Sequence, residues 1–171
     1  FSGALNITLA SACHPLMTFN TVSYDLATYQ SIPFVHQPDL DFESVFPALN
    51  NPHHKLDSNV QSQYHAYCVM AGNFSQMMWR ALSREMKALG LPTDVLHAYL
   101  AQNTLNYTQS PDTSATGPFQ RGDLKTIDKH LKALPNGELK NIYLAYVNWV
   151  TSMVQNPEEI TAHNTNEKVA S

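Results

Sequence analysis

The sequence predicts a mainly α-helical protein with a small α/β segment at its start, and three observations carry that prediction. The first 57 residues alternate short extended runs with a helical pattern. Residues 60–89 hold no proline and a single glycine. Three further helical periods come after them, set apart by a Ser/Thr/Gly/Pro loop and a Pro-Asn-Gly turn. With 171 residues and 43% hydrophobic content, the chain is able to bury a core.

From Ile7 to Phe19 the chain is apolar and β-tolerant, broken by Pro15. Proline has no backbone N–H and suits a strand end, so a short strand is expected to finish near His14-Pro15. A second extended piece runs from Ile32 to His36. The acidic stretch Asp39 to Glu43 then leads into Phe42, Val45, Phe46 and Leu49, which fit the i, i+3, i+4, i+7 spacing of a helix. Asn50-Asn51-Pro52 stops that helix, His53 to Leu56 reads as a third strand, and Asp57-Ser58-Asn59 offers side-chain oxygens to cap the next helix.

Along the proline-free stretch, Tyr64, Tyr67, Cys68, Ala71, Phe74, Ser75, Met78, Leu82 and Met86 track one helical face. Gly90 ends this helix, and Pro92 starts another that runs to about Gln109. After the loop Ser110 to Pro118, Gly122-Asp123 caps a helix through Leu124, Ile127, Leu131 and Leu134. Glu138 to Val154 forms the last helix, bearing Leu139, Ile142, Tyr143, Tyr146 and Trp149. Residues 156–171 are polar and aperiodic, and a frayed or disordered tail is expected.

The formal charge is -4 and the basic residues do not cluster, which argues against nucleic acid or an anionic membrane as partner. Cys13 and Cys68 are too few for a disulfide scaffold and read as reduced structural thiols. No apolar run approaches the ~20 residues of a membrane span, and the N-terminus lacks a signal-peptide pattern, so a cytoplasmic location is expected. Phe1-Ser2-Gly3 opens as though already inside an element, and the expectation is that an upstream part has been removed. No Gly-x-Ser-x-Gly, Cys/His dyad or paired-carboxylate motif supports a hydrolase.

At His14-Pro15-Leu16-Met17-Thr18-Phe19, Tyr64-His65-Ala66, Asn73, Thr116-Gly117-Pro118-Phe119-Gln120-Arg121-Gly122-Asp123 and His130-Leu131, the sequence resembles a known family. It is similar to bacterial Rossmann-like proteins with a C-terminal domain of unknown function, relatives of pyrroline-5-carboxylate reductase and ketopantoate reductase. The resemblance implies that residues 1–57 end a Rossmann-like α/β domain. Residues 58–155 would then form a helical domain of the 6-phosphogluconate-dehydrogenase-like type, ahead of the 156–171 tail. It also implies an NAD(P) cofactor and a homodimer whose helical domain closes over the nicotinamide. The G-x-G-x-x-G loop that cradles a pyrophosphate is absent, so this chain alone is not expected to bind NAD(P) tightly.

Several side chains are candidates for the chemistry. His14, at the expected C-terminal end of a strand where open α/β sheets place ligands, suits acid/base work or hydrogen bonding to substrate; the competing reading is that it orders the turn. His65 and Asn73 lie eight residues apart on the long helix, where, in the hydride-transfer chemistry the resemblance implies, either can polarise the group being reduced. The competing reading is a satisfied core pair. Thr18, Thr116, Gly117 and Arg121 are the expected substrate contacts, with the Arg121 loop and helix start suited to an anionic group unless Arg121 merely pairs with an acid. Zinc at His53-His54 with His36 or His65 is disfavoured, because neighbouring strand residues face opposite sides and no carboxylate or thiol stands at a ligand-like interval. The Arg-Gly-Asp tripeptide and the sequons at Asn6, Asn73 and Asn106 carry no weight without an extracellular context. The function expected is an oxidoreductase fragment acting on a small oxo or imino compound. The alternative is a non-catalytic binding or regulatory scaffold whose helices form a dimer interface.

Overall fold

A computed structural model describes residues 11–155, so the Asn6 sequon and the 156–171 tail lie outside the described residues. These residues divide between Leu96 and His97 into two compact units. The boundary expected at residue 57 follows a change of composition and periodicity.

In the first unit, β1 (Cys13–Pro15), β2 (Phe34–His36) and β3 (His53–Lys55) form a three-stranded sheet in sequence order. β1 is an edge strand, which is where Pro15 costs no ladder hydrogen bond. It pairs antiparallel with β2, His14 facing Val35, whereas β2 and β3 run parallel, Phe34 beside His53. α1 (Leu26–Ser31), which the sequence reading did not anticipate, is one and a half turns capped by Asp25. Its signal was present in the Asp25 carboxylate, which accepts from the Thr28 N–H at 2.7 Å. The end of α1 is closed by buried Asn51, whose side-chain amide donates to the carbonyls of Tyr29 and Ile32 at 2.7 and 2.9 Å.

α2 (Phe42–Val45) crosses from β2 to β3, starts on Asp41, and buries Phe42. Phe42 is 1% exposed and stands among four rings: Phe34, Phe46, His36 and His53, with centroids 5.3, 5.2, 5.6 and 4.4 Å away. This aromatic cluster is the core on one face of the sheet, and Ile32 and Ala12 are also buried in this unit.

The long helix arrives in three parts. A 3-10 turn at Ser58–Val60 leads into α3 (Gln61–Val69), a π-helical segment spans Met70–Phe74, and α4 (Ser75–Ala88) completes it. The capping expected of Asp57-Ser58-Asn59 is not made: Asp57 holds the cap position without a side-chain bond, and the Ser58 hydroxyl instead accepts from the Gln37 amide at 3.1 Å. α4 ends in a Schellman arrangement, with Gly90 at φ +85°, Gly90 N–H bonded to Lys87 O and Leu91 N–H to Met86 O.

The second unit contains α5 (His97–Gln109), α6 (Leu124–Ala133) and α7 (Glu138–Gln155). α5 begins later than Pro92, because residues 92–95 close a turn through the Val95 N–H to Pro92 O. α6 and α7 pack on one another around buried Ile127, with Phe119 against Tyr143 and Tyr146. Among the described residues, no helix is long and apolar enough to cross a membrane.

Candidate functional site

The first unit brings His14 of β1 against α3. The His14 Nδ1 lies 2.9 Å from the Tyr64 hydroxyl, with the two rings edge-to-face at 5.8 Å. Burial pushes the His14 imidazole below its ordinary range, helped by the positive charge that the neighbouring His65 can carry. Burial also pushes the Tyr64 phenol far above its ordinary value, and its hydrogen bond with Cys68, one helical turn on, acts in the same direction. The site is therefore built to hold a neutral imidazole beside an un-ionised phenol.

The reason given by the sequence for placing His14 in a site needs correcting. Because β1 runs against β2 and β3, its C-terminal end lies beside their N-terminal ends, Pro15 opposite Phe34. The rule that ligands sit at the carboxyl ends of parallel strands thus does not reach His14. What singles His14 out is its local chemistry: a half-buried imidazole, a phenol in hydrogen-bond contact and a second imidazole close enough to shift its titration.

His65 and Asn73 are both exposed on the long helix. In an uninterrupted α-helix, eight residues leave side chains about 80° apart around the axis. Met70–Phe74 forms a wider π turn, which turns Asn73 back toward the line of His65. Thr18 is exposed, and its carbonyl accepts from the Tyr24 hydroxyl at 2.6 Å.

Thr116, Gly117 and Arg121 belong to the second unit. Gly117 at φ +93° turns the chain so that its carbonyl accepts the Arg121 N–H at 3.3 Å. Asp123 caps α6, its carboxylate accepting from the Thr126 N–H and hydroxyl at 3.1 and 2.7 Å, and those bonds hold its carboxyl below the usual range. A carboxylate already occupies the place an anion would take at that helix start, so the anion-binding expectation narrows to the Arg121 guanidinium. Nearby, His130 Nδ1 meets the Tyr143 hydroxyl at 2.8 Å.

His36 and His53, weighed from the sequence only as zinc ligands, instead form a hydrogen-bonded pair beside Glu43. His36, 2% exposed, places Nδ1 2.9 Å from the Gln37 carbonyl and Nε2 3.1 Å from His53 Nδ1, and His53 Nε2 reaches Glu43 at 3.2 Å. A pocket of about 160 Å³ opens beside them, lined by Asp39, Asp41, Glu43 and Lys55 among others. His54 is exposed, as strand alternation requires. Among the described residues, no three His, Cys, Asp or Glu side chains are grouped so as to hold a metal ion.

The residues present do not fit a dinucleotide's pyrophosphate. The turn from β2 into α2 contains no glycine, and the carboxylate of Asp41 stands at the helix start where a phosphate would need unhindered N–H groups.

A small mixed sheet leading into a helical region is the fold of two solved structures. One, from Bacteroides fragilis, is named "putative NADP oxidoreductase BF3122": TM-score 0.67, 22% identity, 86% of this chain and 60% of that one covered. The other is protein TM1727 from Thermotoga maritima: TM-score 0.68, 20% identity, 86% of this chain and 62% of that one covered. The chain therefore shares the fold of these structures, and it spans about 60% of their length. Residues 40–149 match the family model described as Domain of unknown function (DUF2520), and the chain belongs to that family. No curated protein matches it.

Proposed function

We propose that this chain supplies the substrate side of an NAD(P)-dependent oxidoreductase of the kind to which pyrroline-5-carboxylate and ketopantoate reductases belong, with the dinucleotide held by other parts of the protein. The observation that carries the reading is the pairing of half-buried His14 with Tyr64, beside His65, within a fold shared with a protein named for NADP oxidoreductase activity. A neutral imidazole in that setting donates a hydrogen bond to the oxygen or nitrogen of a small oxo or imino compound, and this stabilises charge that develops there during reduction. His65 and Asn73 act from the long helix as further polar contacts, and Thr18 serves as a substrate contact. In the second unit, Thr116, Gly117 and Arg121 are suited to an anionic group. The protein acts in the cytoplasm as a homodimer through its helical part, which exposes Tyr99, Tyr107, Ile142 and Trp149.

The test compares NADPH and NADH binding to the complete gene product and to residues 1–171 by calorimetry. Binding by the complete product alone, followed by loss of turnover in His14→Ala, supports the reading. Absence of binding in both sinks it in favour of a non-catalytic scaffold. A monomer in sedimentation at high micromolar concentration would remove the dimer from the proposal.

A further inference from the structure

Gln61, the first residue of α3, is 5% exposed, and its side-chain carbonyl oxygen is buried without a hydrogen-bond partner from the protein. Nearly every buried polar atom of a folded protein is paired, with another protein group or with ordered water, so this oxygen calls for a donor. Gln61 lines a small cleft whose other polar walls are His36, Gln37 and Tyr64, and each of these is engaged elsewhere. His36 spends both ring nitrogens, on the Gln37 carbonyl at 2.9 Å and on His53 at 3.1 Å. The Gln37 side chain accepts from the Ala12 N–H at 3.0 Å and donates to the Ser58 hydroxyl at 3.1 Å. The Tyr64 hydroxyl meets His14 at 2.9 Å. Turning the Gln61 amide over puts its nitrogen where the oxygen was and leaves a buried donor in need of an acceptor, so the deficit is the same in either orientation.

We propose that this cleft is a binding site for one ordered water molecule, anchored on Gln61 Oε1. The cleft measures about 10 Å³. A water needs roughly 10–15 Å³ and about two to four polar partners, so one water fits and no larger ligand does. The lining groups have the capacity to hold it. The water gives one hydrogen to Gln61 Oε1. The Gln37 amide nitrogen carries two hydrogens and spends one on Ser58, which leaves the other for the water oxygen. The Tyr64 oxygen keeps a lone pair whichever way its contact with His14 runs, and that lone pair takes the second hydrogen of the water. A bridging water is nearly as good a link as a direct hydrogen bond. Here it ties the residue that follows β2 to the first turn of α3, the helix that presents Tyr64 to His14.

The experiment is a crystal structure of the full chain at a resolution where waters are ordered elsewhere on the sheet. Density for a water within about 3.2 Å of the Gln61 amide and of at least one of the Gln37 and Tyr64 side chains supports the site. A cleft without such density, or a protein donor seated on Gln61 Oε1, overturns it. Gln61→Met keeps the length of the side chain and removes its polar atoms, and its structure should have lost the water. A water that stays in place in Gln61→Met shows that Gln61 is not its anchor and overturns the assignment. If Gln61→Met does not fold, NMR of the unsubstituted protein replaces it. The Gln61 side-chain amide protons should then give a cross-peak with water whose sign marks a long-lived neighbour, with a rotating-frame spectrum separating contact from proton exchange. A missing cross-peak counts against the site as an empty cleft does. Neither readout uses cofactor or substrate, so the water site and the oxidoreductase reading stand or fall separately.

Discussion

Replacing Phe42 by alanine should cripple the first unit, and the size of the effect is set by its surroundings. The ring is 1% exposed and stacks on His53 at 4.4 Å and 13°, on His36 at 5.6 Å and 22°, and packs against Phe34 and Phe46. Truncating a buried phenylalanine costs about 3–5 kcal/mol through lost transfer energy and the cavity left behind. The stacked and tilted ring contacts put Phe42 toward the upper end of that range. Domains are stable by only about 5–15 kcal/mol, so the loss is a large share of the total. With a urea dependence of about 2 kcal/mol per M, the unfolding midpoint should fall by roughly 2 M. Urea denaturation followed by far-UV circular dichroism measures it, with Phe42→Leu as the volume-sparing comparison. A Phe42→Ala midpoint within about 0.5 M of the parent, a change near 1 kcal/mol, would refute the view that this ring organises the sheet carrying His14.

Other consequences can be checked with the same preparations. Because burial depresses His14, an unfolded chain takes up its proton first as pH drops; stability should decline as pH falls through about 6.5 and level off below the depressed folded value. Melting temperatures from pH 8 to 5 for the parent and His14→Gln test this, and parallel curves would show that His14 contributes nothing to the decline. Asp123→Asn should lower the melting temperature near neutrality, and the gap should close as pH falls below about 3.8, since the capping carboxylate has its folded value depressed. A gap that persists at pH 2.5 would contradict the charge-assisted cap. Gly90→Ala should cost about 1 kcal/mol, because Gly90 holds φ +85° with open space around it and only backbone strain opposes a side chain. A neutral Gly90→Ala in urea melts would argue that the Schellman turn is absent in solution.

The chain itself encoded what depends on near neighbours. Pro15 and Pro52 punctuate strands, Asp123 caps a helix through its own third neighbour, and Gly90 supplies the one backbone conformation that ends α4. Each acts within four residues, where geometry derives directly from residue type, so strands, helices and most boundaries were legible. α1 went unseen because a six-residue helix presents barely one and a half turns of periodicity, and the π segment because its extra residue leaves no mark in hydrophobic spacing. The site was legible only as residue names. His14 and Tyr64 are fifty positions apart, and nothing local states that β1 runs against β2 or that the two side chains meet. The same holds for His36, His53 and Glu43, which only the β2–α2–β3 crossover assembles. Direction of pairing and contact across the sheet arise only when segments far apart in sequence pack together, and so the tertiary structure alone decided which candidate residues became partners.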